Sequence, residues 1–230
     1  MKLLLIEDDV NTADIVKRGL NSKMHVVDVS HDGADGSFLA RSYEYDAIIL
    51  DYSLPNKDGL IVCTEIRRAG KNTPILFLSI IDDVEIKVEA LQRGADDYMT
   101  KPYSLEELYA RLDAITRRPK EIKNNTVLEI EDIKLDTVNH RVTRDGKSIH
   151  LTSKEYGILE YLLRNKSVVI SRALIMEHVW TADGDPFSNT VESHIGNLRR
   201  KLNEGNKPNV IHNMSGRGYI IDTLENLAKL

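Results

Sequence analysis

The sequence contains very little cysteine. Cys63 is the single cysteine among 230 residues, so the chain cannot form an internal disulfide or a metal site built from several thiolates. Because Cys63 lies in a helical pattern of apolar residues, we expect it to be a small core residue. The seven histidines show no metal-binding spacing. The sequence therefore excludes a disulfide-stabilised domain and offers no thiolate or imidazole metal centre.

Long hydrophobic runs are also absent. No apolar stretch approaches the roughly 18 residues of a membrane span, and Met1-Lys2 leads into a short apolar run and then into acids rather than into a secretion signal. A hydrophobic content of 41% with 29% charged residues is ordinary for a globular chain. We therefore expect a cytoplasmic protein with no membrane segment.

Positive charge is not in excess in either half. Residues 1–119 hold 15 Lys and Arg against 21 Asp and Glu, and residues 126–230 hold 14 of each sign. A surface for nucleic acid in the second half would therefore need local clustering of basic side chains.

The first half contains apolar runs that end in polar residues. Ala47–Leu50 run directly into Asp51, and Pro55 prevents a strand from continuing. This predicts a strand buried on both faces with a carboxylate at its end. Similar runs alternate with amphipathic stretches through residues 1–118, which predicts an α/β doubly wound domain with a five-stranded parallel sheet.

Polar side chains are expected to meet at one edge of that sheet. Asp8 and Asp9 follow the first predicted strand, Asp51 and Ser79 end the third and fourth, and Lys101 follows the fifth. They could be separate helix caps and surface charges. Converging carboxylates, however, need a cation, and oxygen ligands suit Mg²⁺. Asp51 could then attack a phosphoryl group whose oxygens are bound by Lys101 and Ser79.

These segments resemble the receiver domain (CheY-like) of bacterial two-component response regulators. The resemblance covers residues 1–118 and rests on Ile6-Glu7-Asp8-Asp9, Leu50-Asp51-Tyr52-Ser53-Leu54-Pro55, Gly59, Ser79 and Gly94–Tyr103. It implies that a sensor histidine kinase transfers a phosphoryl group to Asp51, and that the protein is not an enzyme beyond assisting its own phosphorylation and dephosphorylation.

The same resemblance implies specific roles around Asp51. Asp9, Asp51 and the carbonyl oxygen of Ser53 would bind Mg²⁺, and Asp8 would act through a water molecule. Tyr98 would turn inward when Ser79 is drawn to the phosphoryl group, and the Lys101–Pro102 bond would be cis. The chain departs from the family at Ile80, where Ala or Gly is usual. A stiff β-branched side chain there would narrow access to Asp51 and slow phosphorylation.

A set of charged residues is similar to the dimer face of OmpR/PhoB-type regulators, although such charges could simply solvate a surface. The set is Lys87, Asp97, Glu107, Arg111 and Arg118. The resemblance implies a homodimer in which Lys87 meets the partner's Glu107 and Asp97 meets the partner's Arg111. A third family pair joins an acid at position 92 to Arg118, but Gln92 stands here, so that bridge is absent or passes to Glu89.

Residues 119–126 are polar and interrupted by proline, which predicts a short linker before a second domain of residues 127–230. Short alternating segments open this domain, Thr152 and Glu155 form a capping box, and three helical patterns precede a Gly-rich hairpin. Three helices followed by a hairpin predict an α+β winged-helix DNA-binding domain, whose third helix enters the major groove of double-stranded DNA.

The third helical pattern and the hairpin supply the candidate DNA contacts. They are Thr190, Ser193, His194, Asn197, Arg199, Arg200, Lys201 and Arg217. Basic residues there suit phosphate, and Asn197 could read adenine bidentately. Alternatively, the basic cluster complements the helix dipole.

The second domain resembles the OmpR/PhoB winged-helix effector over residues 127–223. This implies binding to direct-repeat DNA and a loop, roughly Thr181–Ser188, that touches RNA polymerase. Arginines frequent in the family are replaced by Asn189, Gly196 and Asn197, which predicts a shallower salt dependence and a modest affinity.

Three other functions compete with a phosphorylation-controlled transcription factor. A haloacid-dehalogenase-like phosphatase needs a second acid where Ser53 stands. A DNA-binding regulator with a degenerate switch is the second alternative, since Ile80 and Gln92 could both weaken phosphorylation or dimerisation. A protein-only adaptor is the third, and it would show no salt-sensitive DNA binding.

Overall fold

The computed structural model describes residues 1–116, 126–181 and 190–227. The chain divides into two compact units, Met1–Ile122 and Lys123–Leu230. Arg118, nearly all of the predicted linker and residues 182–188 of the predicted polymerase loop lie outside the described residues. The predictions made for them stay predictions.

The first unit is built on a parallel sheet with the strand order β2-β1-β3-β4-β5. The strands are Lys2–Ile6 (β1), Val26–Ser30 (β2), Ala47–Asp51 (β3), Ile75–Ser79 (β4) and Asp97–Thr100 (β5). The helices between and after them are Val10–Ser22 (α1), Gly33–Ser42 (α2), Gly59–Arg68 (α3), Val84–Gln92 (α4) and Leu105–Thr116 (α5). This arrangement confirms the predicted doubly wound fold.

The sheet is covered by helices on both faces. Leu4 and Ile6 of β1 pack into a cluster with residues of α2, α3 and α4. Leu3 and Leu5 point to the opposite face, where they pack with residues of α1 and α5. Successive side chains of a strand alternate between faces, so a fully apolar strand serves both clusters. Polar side chains are consequently found at the strand ends.

Four helices of this unit begin at an aspartate. Asp9, Asp32, Asp58 and Asp83 are the N-caps of α1, α2, α3 and α4, and each carboxylate accepts a hydrogen bond from a backbone N–H of the first turn. Such caps satisfy backbone donors that have no partner within the helix. Several acids that follow the strands therefore serve the start of the next helix.

The second unit combines a small sheet, three helices and a hairpin. Its first strands form a four-stranded antiparallel sheet, Val127–Ile130 (β6), Ile133–Asp136 (β7), Arg141–Arg144 (β8) and Lys147–Ile149 (β9). The helices are Ser153–Arg164 (α6), Arg172–Val179 (α7) and Thr190–Leu202 (α8), followed by Ile211–Met214 (β10), Gly218–Ile221 (β11) and the short helix Leu224–Leu227 (α9). The predicted winged helix is confirmed, as is the capping box of Thr152 and Glu155.

Special backbone conformations shape the β8–β9 and β10–β11 hairpins of this unit. Asp145 and Gly146 have φ values of 51° and 73°, the left-handed conformations that a two-residue hairpin requires. Gly218 has φ 131°, and a Cβ atom there would stand 2.1 Å from the carbonyl oxygen of Ile170. The close approach allows Ile170 and Tyr219 to form an antiparallel bridge. The β10–β11 hairpin is thereby attached to the segment that precedes α7.

None of the helices in the described ranges combines the length and apolar composition needed to cross a membrane.

Candidate functional site

Three carboxylates converge at the carboxyl ends of β1 and β3. Ligand oxygens of Glu7, Asp8 and Asp51 all lie within 4.8 Å of one another. Glu7 and Asp51 are buried, and Asp8 is exposed at an open cleft that Ser53 also lines. A set made only of oxygen donors, with one side open to solvent, fits a hard cation such as Mg²⁺.

Lys101 bridges two of these carboxylates. Its Nζ atom lies 2.7 Å from Oε2 of Glu7 and 3.0 Å from Oδ2 of Asp51, and its peptide bond to Pro102 is cis, as the resemblance implied. Burial raises the pKa of Glu7 and of Asp51 above the usual carboxyl range, although the Lys101 ammonium group opposes the rise. The cation thus compensates carboxylates that the fold has taken out of water.

Asp9 does not belong to this cluster, and its assignment as a metal ligand is corrected here. Its Oδ1 atom accepts a 2.6 Å hydrogen bond from the backbone N–H of Thr12, so the carboxylate caps α1. That bond holds the pKa of Asp9 below its usual value. Glu7 takes the place that the sequence had suggested for Asp9, because it is the first residue after β1 and remains at the sheet edge.

Ser79 and Tyr98 are linked through one residue of the β4–α4 loop. The Ser79 hydroxyl oxygen accepts a hydrogen bond from the Ile81 N–H at 3.0 Å, and the Tyr98 hydroxyl donates to the Ile81 carbonyl at 2.8 Å. Tyr98 is buried and stacks on Phe77, with 5.9 Å between ring centroids. Ile80, next to Ser79, is 75% exposed. A movement of this loop would therefore disturb both the hydroxyl and the aromatic ring.

Helix α8 presents a polar face in the second unit. Ser193 and Arg200 are exposed, and Asn197 is half-buried between them along the helix. The Arg200 Nη2 atom donates a 2.8 Å hydrogen bond to Oδ1 of Asn197. Thr190 begins the helix, but its side chain is outside the described part of the structure. Spacings of three and four residues place the described side chains on one face.

Two basic residues of α8 are bound inside the domain, which corrects their assignment to an outward phosphate-binding cluster. Arg199 donates from Nε to the Ile211 carbonyl at 2.9 Å and from Nη2 to Oδ1 of Asn213 at 2.8 Å. Lys201 forms a 2.6 Å ion pair with the buried carboxylate of Glu155. These contacts attach α8 to β10 and to α6. Of the three cations predicted there, Arg200 is the one directed outward.

His194 packs rather than projecting. Its ring lies 5.6 Å from that of Trp180, and its Nδ1 atom is buried without a hydrogen-bond partner among the described residues. The single tryptophan of the chain therefore contacts α8 directly.

The tip of the β10–β11 hairpin carries an exposed cation. Arg217 lies between Gly216 and Gly218 and lines a groove with a volume of about 530 Å³ between the hairpin, α7 and α8. In that groove, the Arg172 Nε atom lies 3.3 Å from Oε1 of Glu192. A cation at a hairpin tip beside a polar helix face has the arrangement that winged-helix domains present to DNA.

Comparison with known proteins decides the family. Residues 3–113 match the family described as "Response regulator receiver domain", and residues 146–221 match "Transcriptional regulatory protein, C terminal". The chain is 37% identical over 223 residues to the response regulator MprA of Mycobacterium avium, covering 96% of this chain and 98% of that protein. It is 36% identical over 222 residues to the transcriptional regulatory protein CusR of Escherichia coli, with the same coverage of 96% and 98%.

The chain belongs to the OmpR/PhoB family of response regulators. It is a two-component transcription regulator with a receiver domain and a DNA-binding domain, and this family does not consist of enzymes in the usual sense. Among solved structures, the Thermotoga maritima OmpR/PhoB homologue DrrB is 29% identical and covers 96% of this chain and 99% of its own, with a TM-score of 0.46.

Four of the five charged residues predicted for the dimer face of this response regulator are paired within the chain, and the fifth, Arg118, lies outside the described residues. Arg111 contacts Oδ2 of Asp97 at 2.8 Å and Oε1 of Glu107 at 2.9 Å, and Lys87 pairs with Asp82. Glu89, considered above as a substitute for an acid at position 92, pairs instead with Arg93 at 2.7 Å. Apolar side chains of α4 are exposed beside these pairs, among them Val84, Val88 and Leu91.

Sequence reasoning missed two residues that position the response regulator's sites. Glu7 was detectable, because it follows the apolar run of β1 without an intervening residue. Arg144 was not, since nothing local marks it. It is buried and donates at 2.9 Å to the carbonyl of Leu202, the last residue of α8, while its Nε atom contacts Oδ1 of Asp132 at 2.8 Å. Such long-range contacts leave no pattern in the sequence.

Proposed function

We propose that a sensor histidine kinase phosphorylates Asp51 in a magnesium-dependent reaction, and that the modification favours a homodimer with higher affinity for its DNA sites. The observation that carries this proposal is the position of Asp51. It lies at the end of a buried strand, beside Glu7 and Asp8, with its Oδ2 atom 3.0 Å from the Lys101 ammonium group.

The chain's own residues prepare Asp51 for the reaction. Its Oδ1 atom accepts a 2.8 Å hydrogen bond from the Tyr52 N–H, while Lys101 holds Oδ2, so the carboxylate has a fixed orientation. An Asp51 oxygen forms the new bond to phosphorus as the phosphorus–nitrogen bond of the phosphohistidine breaks. Lys101 then pairs with one phosphoryl oxygen, and the Ser79 hydroxyl donates to another. Glu7, Asp8, Asp51 and the Ser53 carbonyl would hold Mg²⁺, which would supply the positive charge that lets an anionic group approach.

The two hydrogen bonds of Ile81 connect the phosphorylation site to the proposed dimer face. When Ser79 turns toward a phosphoryl oxygen, it releases the Ile81 N–H, and the loop that also holds the Tyr98 hydroxyl is free to move. Phosphorylation activates to the extent that the rearranged state dimerises better. The proposed dimer face combines the exposed apolar side chains of α4 with Lys87, Asp97, Glu107, Arg111 and Arg118. In the dimer, the ion pairs that the first four of these charged residues form within the chain are replaced by pairs with the second copy.

We assign DNA contact to the polar face of α8 and to the hairpin tip. Ser193, Asn197 and Arg200 face the major groove, Thr190 lies at the start of the same helix, and Arg217 reaches backbone or minor groove. Direct-repeat sites and contact between the loop at roughly Thr181–Ser188 and RNA polymerase complete this proposal. A regulator with a degenerate switch is not favoured, because Asp51, Ser79, Lys101 and the acidic cluster are all present.

The experiment is to treat the full chain with acetyl phosphate and Mg²⁺ and to record its intact mass and oligomeric state. The expected result is a gain of about 80 Da, one phosphoryl group, together with a shift toward dimer. Asp51→Asn should show neither change. Asp58→Asn is the matched control, because it removes a carboxylate at the same cleft while asparagine still caps α3. Absence of the added mass on the parent protein would overturn the proposal.

A further inference from the structure

Asn197 and Arg200 form a hydrogen-bonded pair whose polarity is fixed by chemistry. A guanidinium group has N–H donors and no acceptor, so the amide of Asn197 must turn its oxygen toward Arg200. The 2.8 Å contact between Arg200 Nη2 and Asn197 Oδ1 has this orientation. Among the described residues, no acceptor is bound to Asn197 Nδ2 or to the other N–H groups of the exposed Arg200, so these donors can face another acceptor.

This pairing changes what Asn197 can read. Bidentate recognition of adenine requires an asparagine to accept from the 6-amino group through Oδ1 while donating to N7 through Nδ2. Here a cation occupies the acceptor side of the amide and repels an approaching amino group. Although Oδ1 keeps a second lone pair, the adjacent guanidinium charge disfavours a further donor there, so the pair presents N–H donors to a base edge. Among base edges in the major groove, guanine presents two adjacent acceptors, N7 and O6, with no donor between them.

Gly196 supplies room beside the pair. It is exposed in the interior of α8, and a Cβ atom built there would meet no described atom within 4 Å apart from its chain neighbours and the backbone of the helix itself. No packing contact within the described residues calls for glycine, although glycine weakens a helix. Its position next to Asn197, on the outward side of the helix, lets the backbone approach a surface closely. A short asparagine side chain could then reach a base edge.

We infer that Asn197 and Arg200 act as one donor-only pair that selects guanine in the major groove, with Gly196 providing the clearance. This inference rests on the proposed entry of α8 into the major groove. It names the base that the pair prefers, and it replaces the adenine contact that the residue types alone had suggested.

The test is a selection of bound duplexes from a randomised library by the full, phosphorylated chain, with sequencing of what it retains. The parent protein should enrich guanine at one position of each half-site. Asn197→Ala and Asn197→Asp should lose that preference, the second variant because it keeps an acceptor for Arg200 but has no N–H donors. In the selected site, 7-deazaguanine, which lacks N7, should weaken the parent about tenfold and Asn197→Ala by less than about twofold.

Arg68→Ala removes an equal charge from the receiver unit and should leave the selected sequence unchanged. Two results would overturn the inference while leaving DNA binding by α8 intact: adenine at the position that Asn197 controls, or an identical selected sequence for the parent and both Asn197 variants. Failure of the parent to enrich any sequence would overturn the proposed function itself, and this inference with it.

Discussion

The Oδ1 atom of Asp9 lies 2.6 Å from the backbone nitrogen of Thr12, and this hydrogen bond assigns the carboxylate to the start of α1. Glu7 and Asp8, which precede it, instead share the acidic cluster with Asp51. Adjacent acids in one short turn therefore have different tasks, and substitutions should separate them.

Magnesium affinity should depend on Glu7 and Asp8 and not on Asp9. Because the first two face Asp51, we expect Asp8→Asn to weaken Mg²⁺ binding at least about tenfold and Glu7→Gln several-fold, measured by isothermal titration calorimetry on the full chain. Asp9→Asn is the matched control, since asparagine caps a helix as well as aspartate does. Equal losses for all three variants would show that the cluster extends to Asp9.

Substitutions of two neighbouring arginines of α8, Arg199 and Arg200, should have different effects. Arg199 is bound to the Ile211 carbonyl and to Asn213, so Arg199→Ala should lower the free energy of unfolding by about 1.5–3 kcal/mol. Arg200→Ala should change it by less than about 0.5 kcal/mol. In DNA titrations, Arg200→Ala should weaken binding and reduce the slope of log affinity against log salt by about 1. If Arg199→Ala weakened DNA binding while Arg200→Ala only lowered stability, Arg199 and not Arg200 would contact the DNA.

The Glu155–Lys201 pair should make the second unit sensitive to acid. Burial opposes ionisation of Glu155, but the hydrogen bonds from Lys201 and Thr152 hold its pKa below the usual value. A carboxyl group whose pKa is lowered by folding stabilises the protein above its unfolded pKa of about 4.3, and this contribution is lost as the pH falls through the folded pKa.

Unfolding of this unit can be followed by the fluorescence of Trp180, the single tryptophan. Glu155→Gln should cost about 1–3 kcal/mol at neutral pH and flatten the decline below about pH 4. Glu129→Gln, in an exposed pair with Lys134, should have little effect. Parallel acid profiles for the parent and Glu155→Gln would contradict the role of the pair.

Gly196→Ala should stabilise the second unit. In the part of the chain that the structure describes, an added methyl group meets no atom beyond its own helix backbone and chain neighbours within 4 Å. Alanine is favoured over glycine in a helix interior by about 0.5–1 kcal/mol. The expected outcome is a rise of that size in the free energy of unfolding, measured by urea denaturation and followed by the fluorescence of Trp180. A loss of stability would mean that the position is packed or strained.

Access to Asp51 should depend on Ile80. It is 75% exposed next to Ser79, so Ile80→Ala should cost little stability while accelerating uptake of phosphate from acetyl phosphate. Val138→Ala is the control, because it removes an apolar side chain that is 59% exposed in the second unit, and it should leave the rate unchanged. An unchanged rate for Ile80→Ala would show that the Ile80 side chain does not narrow access to Asp51.

The folds of both domains were predictable because each rests on local patterns. Apolar runs that end in polar residues specify buried parallel strands, as Ala47–Asp51 does, and the Asp145-Gly146 turn and the Thr152 capping box mark a hairpin and a helix start. These signals lie within a few residues of one another, so the sequence alone contains them.

Predictions about individual site residues failed where the role of a side chain depended on partners far away in the chain. The sequence does not reveal whether Asp9 caps a helix or joins a cluster, because both tasks suit an acid after a strand. Lys201 is drawn inward by Glu155, 46 residues earlier, and Arg144 reaches the end of α8 across 58 residues. The residue types identified the charges correctly, but they did not show whether each charged side chain faces solvent or a partner inside the domain.

The bridge between Ile170 and Tyr219 affects how the second unit would be positioned on DNA. Because the β10–β11 hairpin is bridged to the segment before α7, and Arg199 hydrogen-bonds α8 to β10, α8 and the base of the hairpin are held in one arrangement. If α8 and Arg217 contact DNA as proposed, the spacing along the duplex between their two contact points is set by the fold of the second unit.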